Sequence, residues 1–121
     1  MRNLLPILFS LAGLFFVGCG KSSDSSDAKS PAKTKLSFIT NVSADFWTYA
    51  EAGTRAAERE FGDIEVIFRS GDGTTAKQKQ IVDDLLAAGV KGVAISPTSA
   101  TNQIRMINEW VKDAHVICVD S

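Results

Sequence analysis

"QKQIVDDLLAAGVKGVAISP" (Gln78–Pro97) carries two periodicities back to back. In its first half Ile81, Val82, Leu85 and Leu86 recur at helical spacing, the stripe of an amphipathic helix. Gly89 is a natural stop, since glycine accepts the left-handed conformation in which helices often end. "GVAIS" (Gly92–Ser96) is then a short unbroken apolar run, the mark of a strand covered on both faces, and Pro97 ends it. A helix feeding directly into such a strand is the second half of a βαβ unit. The fold therefore turns on whether the rest of the chain repeats the arrangement.

It does. Upstream, "KLSFIT" (Lys35–Thr40) and "IEVIFR" (Ile64–Arg69) read as strands. Between them Asp45–Phe61 reads as a helix with Ala50, Gly53, Ala57 and Phe61 on one face. "SGDGTT" (Ser70–Thr75) reads as a turn with a helix cap, leading into a helix over Thr75–Ala88. Downstream, Ser99 or Thr101 can cap a helix whose face is Ile104, Ile107, Val111 and Ala114, before a fourth strand at Val116–Asp120. Four strands alternating with three helices predict an α/β fold: a parallel sheet with helices on both faces and right-handed crossovers.

The chain has 121 residues, 45% hydrophobic and 22% charged, with 13 basic and 14 acidic side chains. That near-balance gives no electrostatic case for a nucleic-acid partner. The first eighteen residues form a separate segment: "MRN" is a short basic start, and residues 4–17 are apolar. A run of about fourteen residues, against the roughly twenty a membrane-spanning helix needs, reads as an export signal. "FVGC" (Phe16–Cys19) resembles the bacterial lipoprotein cleavage box, which implies Cys19 as the acylated first residue and an anchor in a membrane. Residues 19–35 are rich in Ser, Lys, Asp and Ala without apolar periodicity, the composition of a flexible tether. The domain is expected over 36–121, outside the cytoplasm in the periplasm or cell envelope. Cys118 is then the one remaining cysteine and reads as a small buried hydrophobe in its strand. His115 lacks a second ligand at metal spacing, so no metal site is expected.

In a sheet of this kind ligands bind outside the carboxyl ends of the strands. The residues there are "NVSADFW" after the first strand, "SGDGTT" after the second, "SPTS" after the third, and Asp120 after the fourth. Neither a GxGxxG turn nor a GxxxxGK[ST] loop occurs, no GxSxG or CxxC is present, and no catalytic constellation or cofactor motif assembles. What stands at the strand ends suits a neutral polar ligand. Phe46 and Trp47 offer flat apolar faces for the C–H face of a sugar ring. Asp120 can accept from two adjacent hydroxyls, and Asn41, Ser43 and Ser96 can donate or accept. Other roles stay open on spacing alone: Phe46 as a core residue, Asp45 as a helix cap, Asp120 as a turn former.

"FITNVSADFWTYAEAGTRAAE" (Phe38–Glu58), "GTTAKQKQIVDDLLAAGVKGVAISP" (Gly73–Pro97) and "VICVDS" (Val116–Ser121) resemble the amino-terminal lobe of periplasmic sugar-binding proteins of the ribose-binding type. These are solute receptors of ABC importers, akin to the ligand domain of LacI-type repressors. The resemblance implies a type I periplasmic binding fold with strand order 2-1-3-4, truncated here to part of the amino-terminal lobe. It implies Phe46 and Trp47 stacking on the sugar, Ser96 lining the cleft where ribose binders carry Asn, and Asp120 binding ring hydroxyls. It further implies a monosaccharide or related polyol as ligand, an ABC permease as partner, and neither catalysis nor a cofactor. Ala44 and Asp45 replace the Asn and Pro usual before the aromatics, and Ser121 replaces an Arg common in ribose binders, so ribose itself is not implied. A lobe that presents its ligand to a sensor kinase or chemoreceptor is the alternative, with a small flavodoxin-like enzyme using Asp45 or Asp120 behind it. As part of one lobe of two, the chain is expected to bind sugar weakly or not at all alone. Its fourth strand, at an open edge, is expected to favour self-association.

Overall fold

Short runs of β-branched and aromatic residues form a four-stranded sheet in a computed structural model that describes residues 32–120. The elements are β1 (Thr34–Ile39), α1 (Phe46–Phe61), β2 (Ile64–Arg69), α2 (Thr75–Ala87), β3 (Gly92–Ile95), α3 (Ile104–Trp110) and β4 (His115–Cys118). All strand pairs are parallel, in the order β2-β1-β3-β4, with Leu36 opposite both Val66 and Gly92. The export signal, Cys19 and most of the tether lie outside the described residues. Of the four tether residues that are described, Thr34 and Lys35 already belong to β1, where the Thr34 N–H donates to the Asp63 carbonyl at 2.8 Å.

Adjacent strand residues point to opposite faces, and that alternation divides the core. On one face Ile39, Val93 and Ile95 pack with Ile81, Val82 and Leu85 of α2 and with Trp110 of α3. Burying each such side chain is worth about 1.5–3 kcal/mol. On the other face Phe38 stacks on Phe68 at 5.4 Å and takes the edge of Trp47 from α1 at 5.9 Å. The chain thus passes from β1 to β2 over one face, then from β2 to β3 and β4 over the other. Right-handed crossovers in opposite directions require this.

Helix ends follow local chemistry. The Thr74 hydroxyl accepts from the Lys77 N–H at 3.1 Å and caps α2, as the "SGDGTT" reading expects. Gly89, with φ of 85°, turns the chain out of α2. No helix among the described residues is long and apolar enough to cross a membrane.

Three expectations fail in detail. Phe61 is exposed rather than on the inner face of α1, whose one buried residue is Trp47. In α3, Ile104 and Val111 face solvent, while Gln103 and Trp110 are buried and Met106 and Ile107 half-buried. Ile107 and Ala114 do pack against the core, but the inward face is shifted toward Gln103 and Trp110, because the largest side chain takes the inward place and its indole N–H finds Asp83 Oδ1 at 3.0 Å. Cys118 is exposed at the carboxyl end of the edge strand β4, although it shares the helix-covered face with Val116, and Ile117 is exposed on the opposite face, which no helix covers.

The opposite edge is closed. On the outer side of β2 the Val66 N–H donates to Glu58 Oε1 at 2.7 Å, and the Val66 carbonyl accepts from Arg55 at 2.9 Å. The two side chains also pair with each other at 2.9 Å. Together they satisfy Val66 as a further strand would, which blunts the edge against pairing with another chain. The Val66 N–H, and after it the Arg55 guanidinium, hold the Glu58 carboxyl below its ordinary range. A depressed carboxyl stabilises the fold above its unfolded value and loses that contribution as pH falls through its folded value. Urea midpoints should therefore place the wild-type chain above Glu58→Gln at pH 7, with the gap closing below about pH 4.3. A gap unchanged at lower pH would contradict the clamp.

Candidate functional site

Parallel strands put every carboxyl end on one side of the molecule. The crossovers leave in opposite directions from β1 and β3, so the crevice between these two strands opens there. Asn41 follows β1, Ser96 follows β3, and their strands are joined by a last backbone bond from the Ser96 N–H to the Ile39 carbonyl at 2.9 Å.

Asn41 is half-buried, and its orientation is set by its neighbours. Its Oδ1 accepts from the Val42 N–H at 2.7 Å and from Trp47 Nε1 at 3.3 Å. Both partners can only donate, so the oxygen must face them. No described residue accepts from the Asn41 NH2, which is left to point away from Trp47.

The two aromatics divide their labour. Trp47 is 6% exposed, fixed between Phe38 and the Asn41 amide, and cannot offer its face to a ligand. Phe46 is 60% exposed and meets Trp47 edge-on, with ring centroids 5.0 Å apart and planes at 73°. An edge-to-face contact of this kind is a favoured arrangement and steadies the outer ring. Phe46 thus presents an exposed ring with the buried Trp47 behind it.

Ser96, expected to line a cleft, is fully buried, so its side chain is not at the surface. Its hydroxyl donates instead to the Asp120 carbonyl at 3.1 Å. Asp120 has φ of 47°, a left-handed conformation that Asp tolerates better than most residues, and it is exposed. Ser96 therefore holds the backbone of Asp120 in place. Ser43 is exposed on the loop after β1.

Sequence reasoning missed a buried polar network beneath this face. Gln78 has no solvent exposure. Its Nε2 donates to the carbonyls of Thr40 at 3.0 Å and Ser96 at 2.7 Å. Its Oε1 accepts from the Thr98 N–H and hydroxyl, both at 3.0 Å, and from Gln103 Nε2 at 2.9 Å. Gln103 Oε1 accepts in turn from the Ser99 N–H at 2.9 Å. The signal was the helical phase: Gln78 stands on the same face as Ile81, Val82 and Leu85, where a polar residue costs stability unless fully bonded.

The turn after β2 packs directly against the end of β1. The Gly71 N–H donates to the Thr40 carbonyl at 3.1 Å and the Gly73 N–H to the Asn41 carbonyl at 2.9 Å. Asp72 accepts from the Thr74 hydroxyl and N–H, and these bonds hold its carboxyl below its ordinary range. A carboxylate at this helix start makes the turn a structural one and disfavours an anion there. An open groove between α2 and α3, lined by Lys79, Asp83, Arg105, Glu109 and Trp110, lies away from the strand ends and mixes both signs of charge.

Residues 36–121 match the family described as a periplasmic binding protein domain, and the chain belongs to that family. No curated protein matches it. Among solved structures it is similar to a carbohydrate transporter solute-binding protein from Agrobacterium radiobacter in complex with D-arabinose, with TM-score 0.69 and 23% identity over 76% of this chain and 32% of that one. An arabinose-binding protein from Geobacillus stearothermophilus gives TM-score 0.66 and 23% identity over 74% and 31% of the two chains. An ABC transporter solute-binding protein from Burkholderia graminis in complex with D-arabinose gives 0.64 and 22% over 77% and 32%. The chain spans about a third of the length of each. Its parallel sheet ordered β2-β1-β3-β4 is that of part of one lobe of this fold.

The contact between turn and strand is close enough to test. A Cβ on Gly71 would lie 2.5 Å from the Asn41 carbonyl oxygen and 2.6 Å from that of Thr40. Gly71→Ala should cost about 1–3 kcal/mol, the usual penalty for overpacking, measured as a lowered urea midpoint. An unchanged midpoint would contradict the close approach.

Proposed function

We propose that the face at the carboxyl ends of β1, β3 and β4 is one wall of a binding site for a monosaccharide or related polyol. The receptor it belongs to would serve an ABC importer outside the cytoplasm, held to a membrane through Cys19. The observation that carries this reading is Phe46: a large ring exposed at a strand end over a buried aromatic, beside an amide whose NH2 has no acceptor among the described residues.

Each group then has a chemical role. Phe46 stacks on the C–H face of the sugar ring, while Trp47 holds that ring from behind. The Asn41 NH2 donates to a ring hydroxyl, and Ser43 can exchange a further hydrogen bond. The Asp120 carboxylate accepts from two neighbouring hydroxyls, each charge-assisted bond worth about 1.5–3 kcal/mol. Ser96 sets the Asp120 backbone from below. A stacking face with donors and an acceptor around it binds and orients without breaking bonds, so the reading is a receptor and not an enzyme. Family membership supports it, as do the D-arabinose complexes of two similar proteins.

A single wall meets the ligand from one side, so affinity should be on the order of millimolar or weaker. Titrating the isotope-labelled chain with a panel of pentoses and hexoses should move the NMR signals of Asn41, Phe46 and Asp120 for at least one sugar. Phe46→Ala should remove that response with the fold intact. Micromolar affinity by calorimetry would contradict the single-wall account. Shifts confined to the groove between α2 and α3, or none with any sugar at about 100 mM, would overturn the site.

A further inference from the structure

We infer that Gln78 is the positioning residue of this face: its side chain forms the rung that ends the β1–β3 ladder and releases Asn41 into the crevice. The inference deepens the sugar-binding reading and rests on it for the meaning of the face, though not for its test.

The last backbone bond between the two strands runs from the Ser96 N–H to the Ile39 carbonyl. In a continuing parallel ladder the Ser96 carbonyl would next accept the N–H of Asn41. Here it accepts from Gln78 Nε2, at 2.7 Å, and the second hydrogen of the same NH2 goes to the Thr40 carbonyl, at 3.0 Å. One amide thus ties the two strands together one step past the ladder while leaving Asn41 outside the sheet. The Gln78 oxygen meanwhile fixes Thr98 on the loop after β3 and, through Gln103, the turn that leads into α3.

No other side chain type satisfies these demands. A residue of similar length without the amide leaves the buried Ser96 carbonyl and the Thr98 N–H unpaired and takes from the Thr40 carbonyl one of its two donors, the other being the Gly71 N–H. A glutamate would bring an anion against two carbonyl oxygens. The full set of five partners for one buried side chain is what permits a polar residue on an otherwise apolar helical stripe.

The chain holds its own internal control. Its two tryptophans each donate an indole hydrogen bond: Trp47 to Asn41 at the crevice, and Trp110 to Asp83 on α2, the helix that carries Gln78. Hydrogen exchange of both indoles and of the Gly73 N–H, none of which touches Gln78, should be compared in the full chain with Gln78→Met. The positioning role predicts that the Trp47 indole and the Gly73 N–H lose protection by about tenfold or more, as expected when buried polar groups lose their partner, while Trp110 changes far less. Equal loss at both indoles would make Gln78 an ordinary core residue and overturn the inference. No change at either would show that the strand ends hold without it, and would overturn it too. Should Gln78→Met fail to fold, slow exchange of the two Gln78 side-chain amide protons in the wild-type chain supports the rung, and exchange as fast as that of an exposed glutamine overturns it. Because no ligand is used, failure of the sugar reading leaves this comparison intact, and failure of the comparison leaves the sugar titration intact.

Discussion

Two carbonyl oxygens at the ends of neighbouring strands, those of Thr40 and Ser96, share one buried amide group. Most of the geometry at the crevice depends on that shared contact. Backbone pairing holds strands together only while they remain in register, yet a binding face requires them to part. An unpaired buried carbonyl would be costly at the point of parting. Gln78 resolves the conflict by extending from a helix that the apolar core already fixes, through Ile81, Val82 and Leu85, against β1 and β3.

From that point the arrangement spreads outward in hydrogen bonds of ordinary length. Thr40 leads to Asn41, whose oxygen is occupied by Trp47, which in turn backs Phe46. Ser96 leads to Asp120 through its hydroxyl. The groups left facing solvent are therefore those whose own backbones or neighbours are held from beneath. Such support is what a site needs if it is to recognise a ligand without first ordering itself.

Much of this was legible in the sequence, for physical reasons that also mark its limits. Apolar phase located every strand and helix, and alternation of strand with helix led to the parallel sheet, because burial of one stripe or one face is a strong and local demand. In α3 the aliphatic pattern placed Ile107 and Ala114 correctly but not Ile104 and Val111, because the place of Trp110 depends on an acceptor on α2, Asp83, which is not local. The position proposed for the site, at the strand ends, follows from topology. The split between an exposed Phe46 and a buried Trp47 did not, since adjacent aromatics are equivalent until a tertiary partner such as Phe38 is known. Gln78 was written in the family-like stretch from the outset, but a glutamine on an apolar stripe reads as noise until its partners are seen.

The central claim is that the Gln78 amide bonds both strand ends in the ligand-free chain. Through-hydrogen-bond NMR couplings test it most directly. The account predicts two couplings, from the Gln78 side-chain nitrogen to the carbonyl carbons of Thr40 and Ser96, with two distinct and slowly exchanging amide protons. A freely rotating NH2 group, exchanging with water as an exposed glutamine does and coupled to neither carbonyl, would contradict it.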